Sequence, residues 1–201
     1  MVNKISMKVF LKAKFGDFDE FDLFKDIVLK NAAEADAKLK EKMEIVFKFE
    51  EAGEEMDDFY SEIEDEGLKC KTYEKEMPKL LVILFYSTVE IKLKKILSEL
   101  TNLNKKDVFD FDFPKIQENF RSSLKIDFKR LSSFEVFNEL RWINNCLKHN
   151  EVVNDKLQDI NKSRWKKDNA LELTKEDLDR LLPKSKQFFT NLLENLAEGD
   201  K

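Results

Sequence analysis

Apolar positions along this chain fall mostly three and four residues apart, which is helical spacing, and long polar faces separate them. From about Glu20 to Glu50, Phe21, Phe24, Ile27, Val28 and Leu29 predict a helix. The Ala/Glu/Lys-rich stretch Asn31–Lys42 continues it with a thin apolar stripe. Gly53 predicts a break. A very acidic segment to about Glu66 follows, with Met56, Phe59, Tyr60 and Ile63 as its apolar face. Pro78 is suited to a first helical turn, and the unbroken apolar run Leu80–Tyr86 behind it predicts a central helix buried on nearly all sides. Pro114 opens a further helix to about Asp127. Ser132-Ser-Phe-Glu135 reads as a capping box for a helix ending near His149. Asn150–Asn169 predicts a loop or broken helix, and Ala170–Leu173 a short extended segment. Thr174-Lys-Glu-Asp177 reads as a weaker cap, starting a last helix to about Ala197 that Pro183 kinks. Residues 1 to about 18 are weakly periodic and fit a short strand or helix.

Composition reinforces an all-α fold. The 201 residues include only 4 Gly and 3 Pro, and 38% are charged. The 18 Phe supply bulk for a core where other helical proteins use Leu. The expected organisation is an N-terminal helical extension over residues 1–70 and a helix bundle over 71–201, or one continuous domain. Cys70 and Cys146 lie far apart with no ligand-like spacing, so neither a metal site nor a cofactor is expected. The N-terminal residues lack an apolar signal region, and Leu80–Tyr86 is far too short to span a bilayer. A cytoplasmic protein without a disulfide is the expectation.

Charge changes the picture in one place. The net charge is −5, yet Pro114–Asp168 holds twelve Lys and Arg against eight Asp and Glu, a balance of +4 that leaves −9 elsewhere. The basic segment surrounds His149, the one histidine and the one side chain whose ordinary pKa suits proton exchange near neutrality. Arg141, Asn145 and His149 are spaced by four, which places them along one helix face. At 100° per residue from Val136, the core stripe Val136, Leu140, Ile143 and Leu147 spans about 60°, and Arg141, Asn145 and His149 fall at about 140°, 180° and 220°. A free helix surface would carry Lys and Glu there. This one carries Arg, Asn and His, with Phe134 and Trp142 nearby.

The segment Glu139-Leu-Arg-Trp-Ile-Asn-Asn-Cys-Leu-Lys-His-Asn150 resembles the signature helix of the HEPN superfamily. That family is all-α, usually a helix bundle, and commonly dimerises. Many members are metal-independent endoribonucleases, acting as toxins or antiviral effectors. Their motif is an Arg, a polar residue (usually Asn), and a His four to six residues after the Arg. Asn145 and the Lys148-His149 pair match. The motif's arginine would fall at Asn144, and the nearest arginine is Arg141. The match covers about a dozen residues, with weaker support from the order of helices over roughly 78 to 197.

The resemblance implies cleavage of RNA by its own 2′-OH, in a toxin or anti-phage defence setting. His149 would serve as acid and base, Arg141 would stabilise phosphorane-like charge, and Asn145 would orient phosphate or imidazole. Asn144 and Lys148 would bind RNA. A homodimer is expected, with Arg141 of one subunit approaching His149 of the other, and an antitoxin is a conceivable protein partner. No DNA is expected to bind. The alternative is a catalytically inactive HEPN-like dimer that binds RNA or docks a protein, and Asn144 at the arginine position is its main support. The plainest account makes His149 a surface residue at a helix C-terminus, where the dipole favours a cation. A structural scaffold using the acidic residues near 50–66 is a further alternative.

Overall fold

The computed structural model describes residues 4–51 and 57–198. The chain folds as an all-α bundle. Its helices are α1 (Lys4–Phe15), α2 (Asp19–Glu51), α3 (Asp57–Leu100), α4 (Lys105–Phe109), α5 (Phe113–Ser123), α6 (Phe134–His149), α7 (Asp155–Ile160) and α8 (Lys175–Glu198), with a 3-10 turn at Phe128–Arg130. No strand forms among the described residues. The extended segment expected at Ala170–Leu173 contributes one isolated antiparallel bridge, Ala170 to Val152.

Phenylalanine builds the core, as composition suggested. Phe137 stacks on Phe188 at 4.5 Å between centroids and joins Phe113, while Phe128 contacts Phe113, Phe120, Phe134 and Phe188. Phe18 and Phe21 both pack on Phe85, and Phe18 meets Phe189 edge-on. Leu11, Phe15, Phe18 and Phe21 thus share one buried cluster with α3, α6 and α8. The weakly periodic N-terminus is the helix α1, which packs along α8. Gly16 ends it: its N–H donates to the Lys12 carbonyl, and an added Cβ would lie 2.7 Å from that oxygen.

The expected boundary at residues 70/71 falls inside α3, which runs unbroken through Pro78. Pro78 therefore does not open a helix. The residues before it are held helical by pairing with α2, which outweighs the one hydrogen bond a proline removes. Half-buried or buried Val28, Ala32, Ala35, Leu39, Lys42 and Val46 recur at spacings of four and three, a seam of coiled-coil type, and Ile63, Gly67 and Cys70 of α3 have the matching partial burial. Lys42 clamps the seam by donating to Glu66 (2.7 Å) and Glu62 (3.2 Å). The two helices form a hairpin arm that leaves the bundle near Pro78. Gly53 and Met56 lie outside the described residues. Tyr60 is exposed, and Ile63 half-buried.

The apolar run in α3 is not enclosed on all sides. Leu81, Val82, Phe85 and Tyr86 are buried, but Leu80 and, further on, Ile91 are exposed. Pro183 likewise sits inside α8. The two expected caps differ. Thr174 and Asp177 form a reciprocal box, with the Asp177 N–H donating to Thr174 Oγ1 (3.3 Å) and the Thr174 N–H to Asp177 Oδ2 (3.1 Å). The Ser132–Glu135 box does not form. Ser133 occupies the cap position in the left-handed region (φ 65°), and its hydroxyl turns to Gln187 at 3.2 Å.

Candidate functional site

Helix α6 lies between α3 and α8 and carries two different polar sites on two flanks. Leu140 and Ile143 are fully buried, while Val136 and Leu147 are half-buried at the core's edge. The buried arc extends further around the helix than that apolar stripe and takes in Glu139, Asn144 and Cys146.

Glu139 is the centre of the first site. Only 3% exposed, it accepts from Arg180 through both oxygens (2.7 Å each), from Trp165 Nε1 (2.7 Å) and from Asn161 Nδ2 (3.4 Å). Asp177 extends the network, taking Arg164 Nε at 3.0 Å and Nη2 at 2.7 Å. Burial alone would raise the Asp177 pKa, but Arg164 and the Thr174 N–H outweigh it and hold the carboxyl below its ordinary value. The hydrogen bonds that Arg164 and Arg180 donate to Asp177 and Glu139 in turn raise the pKa of both arginines. Sequence reasoning missed this network. The available signal was the position of Glu139 on the wheel, about 60° from Val136 and beside the core stripe.

Arg141 is the centre of the second site. It is half-buried, with its guanidinium 4.3 Å from the Trp142 ring and 4.9 Å from the Phe113 ring, and its Nε donates to Asn138 Oδ1 at 3.0 Å. Arg141 makes no ion pair among the described residues. Burial lowers its pKa, although a guanidinium stays charged at any ordinary pH. Tyr86 lies in its electrostatic reach. Burial, and then Glu90, push that phenol far above its ordinary range, so it supplies no countercharge. Glu90 itself is paired with Lys94 at 2.7 Å.

The other expected site residues separate around this centre. Asn145 is half-buried and its amide bonds no other described residue. Lys148 is exposed, with Nζ 5.9 Å from the Tyr86 ring centroid, and it forms no ion pair among the described residues. His149 is exposed in the last turn of α6 with no partner among the described residues. It stands about 12 Å along the axis from Arg141, so the two do not meet within one chain. Asn144 is fully buried, and neither amide atom has a hydrogen-bond partner. It does not lie on the surface with Arg141, Asn145 and Lys148, and cannot touch RNA from this position. Cys146 is buried, and burial raises its thiol, which suits a packing role.

What remains is a strip along α6 with two unneutralised cations over aromatic rings, Arg141 and Lys148, beside Asn145 and His149 and flanked by Phe113, Trp142 and Tyr86. No group of His, Cys, Asp and Glu among the described residues could hold a metal ion, and no described helix is long and apolar enough to cross a membrane. No family model, curated protein or solved structure matches the chain.

Proposed function

We propose that the protein is an RNA-binding module of HEPN type that engages the RNA backbone through the α6 strip. The observation that carries this reading is Arg141: a half-buried guanidinium over two aromatic rings with no carboxylate on it. A cation taken partly out of water is costly unless an anion completes it, and phosphate is the anion a planar guanidinium suits best. Lys148 adds charge, Asn145 adds amide hydrogen bonds, and Trp142 adds apolar surface beside the phosphate. Fluorescence anisotropy with a short unstructured RNA tests the reading. Arg141→Gln should weaken binding by about tenfold or more, the value of one charge-assisted phosphate contact. Equal affinity for wild type and variant refutes it.

The exposed, unpartnered His149 on the same helix favours a second reading, metal-independent endoribonuclease activity in a toxin or anti-phage setting. The 2′-OH would be the nucleophile, with His149 moving the proton and Arg141 of a partner subunit stabilising the charge. Burial of Asn144 at the family's arginine position weighs against it. Incubation of labelled RNA with wild type and His149→Ala decides between the two: cleavage that the variant loses supports catalysis, and binding without cleavage supports the module. A homodimer and an antitoxin partner belong to this proposal, and sedimentation of the purified chain tests the first.

A further inference from the structure

We infer that Asn138 is the positioning residue that keeps Arg141 both oriented and unneutralised, and so makes its outer edge a receptor for a two-oxygen anion. This rests on the RNA-binding reading of the strip. The guanidinium has three contacts within the chain. Its Cζ lies over the Trp142 and Phe113 rings, at 4.3 and 4.9 Å from their centroids, and its Nε is tied to Asn138 at 3.0 Å. The donor is Nε–H, so the amide must present its oxygen, which fixes the amide as well as the arginine.

A guanidinium has five N–H donors, and this arrangement commits one. The two Nη groups bond no described residue. Their edge can donate two parallel hydrogen bonds to paired acceptors such as phosphate oxygens. Asn138 sits one helical turn before Arg141, the position where an acidic residue commonly pairs with a cation. As an amide it gives the same geometry without the charge. The contrast with Arg164 and Arg180 is direct, since carboxylates hold both of those. Of the nearby acidic groups, Tyr86 stays protonated, Glu90 is paired with Lys94, and Asp112 forms no ion pair with Arg141 and caps α5 by accepting from the Lys115 N–H.

Three variants test this in the full-length protein: Asn138→Ala, Asn138→Asp and Arg141→Gln. RNA affinity is measured by anisotropy across a salt series, with thermal melting in parallel. Asn138→Asp should melt no lower than wild type, yet bind RNA about tenfold more weakly. Its dependence of log Kd on log salt should be shallower by about one phosphate contact. Asn138→Ala should weaken binding severalfold, and should add nothing once Arg141 is already Gln. A merely structural asparagine would not change the salt slope. If Arg141→Gln weakens binding and Asn138→Asp binds like wild type with an unchanged slope, this inference fails alone. If wild type binds no RNA, or Arg141→Gln binds equally well, the RNA-binding reading fails and takes the inference with it.

Discussion

The two flanks of α6 solve the same problem in opposite ways. Glu139 and Arg141 are two residues apart, each taken partly or wholly out of water. On the Glu139 flank every charge has a hydrogen-bonded partner from a distant part of the chain: Arg180, Trp165, and Asp177 with Arg164. On the Arg141 flank the neighbours are aromatic rings and one neutral amide. The first arrangement locks α6 to α8 and to the turn before Trp165. The second leaves a cation poised for an anion from outside. A buried charge with complete partners is structural, and one without them marks the place where a ligand can supply what is missing.

Substitutions can break this contrast. Glu139→Ala should have the largest effect, because it leaves Trp165 Nε1 and Asn161 Nδ2 without an acceptor and Arg180 with only its 3.8 Å contact to Asp177. A loss of about 3 kcal/mol is expected, which lowers the melting temperature by roughly 10 °C in a chain of this size. Arg141→Met should cost less than about 1 kcal/mol in urea unfolding, since its rings still pack against the replacement. A loss as large as that of Glu139→Ala would erase the distinction between the flanks.

Acid sharpens the same comparison. The Asp177 carboxyl is held below its ordinary value of 3.8, so its stabilisation is complete above that pH and is lost as pH falls through the lower folded value. The melting-temperature gap between wild type and Asp177→Asn should therefore close below about pH 4. A gap that stays constant to lower pH would show that the ion pair is not what Asp177 contributes. Asn144→Leu should be neutral or stabilising by about 1 kcal/mol, because both amide atoms it removes are buried without partners. The smallest effect belongs to the arm: Gly67→Ala should stabilise by about 0.5–1 kcal/mol, as helix propensity dictates. An added Cβ there meets nothing within 4 Å. A drop in melting temperature on that substitution would show that the seam needs the glycine.

The sequence made local features legible and hid those that depend on distant partners. The Thr174–Asp177 cap was readable because both partners lie within four residues. Ser132–Glu135 has the same pattern, but Ser133 takes up Gln187, 54 residues away, and the box is lost. Pro78 reads as a helix start because its own geometry favours one, and only the pairing of α2 with α3 shows that the helix continues through it. The shared face of Arg141, Asn145 and His149 was read from spacing, and Lys148 entered through the family resemblance. The burial of Asn144 did not, because a wheel gives an angle and not the width of the buried arc. The wheel put Glu139 beside the core but could not show its network, because its partners Asn161, Trp165 and Arg180 come from the segment after α7 and from α8.

The passage of α3 through Pro78 has a mechanical consequence. One rod is anchored in the Phe core by its C-terminal half and free of the core over its N-terminal half. About 30 Å of helix extends beyond the proline, at 1.5 Å per residue. Lys79, at the fulcrum, is buried and holds Glu151 just past the end of α6 at 2.5 Å. A change of pitch at that point is magnified along the rod, so a bend of about ten degrees sweeps its far end through roughly 5 Å. The Lys79–Glu151 pair thus ties the pivot of the rod to a residue two positions from His149.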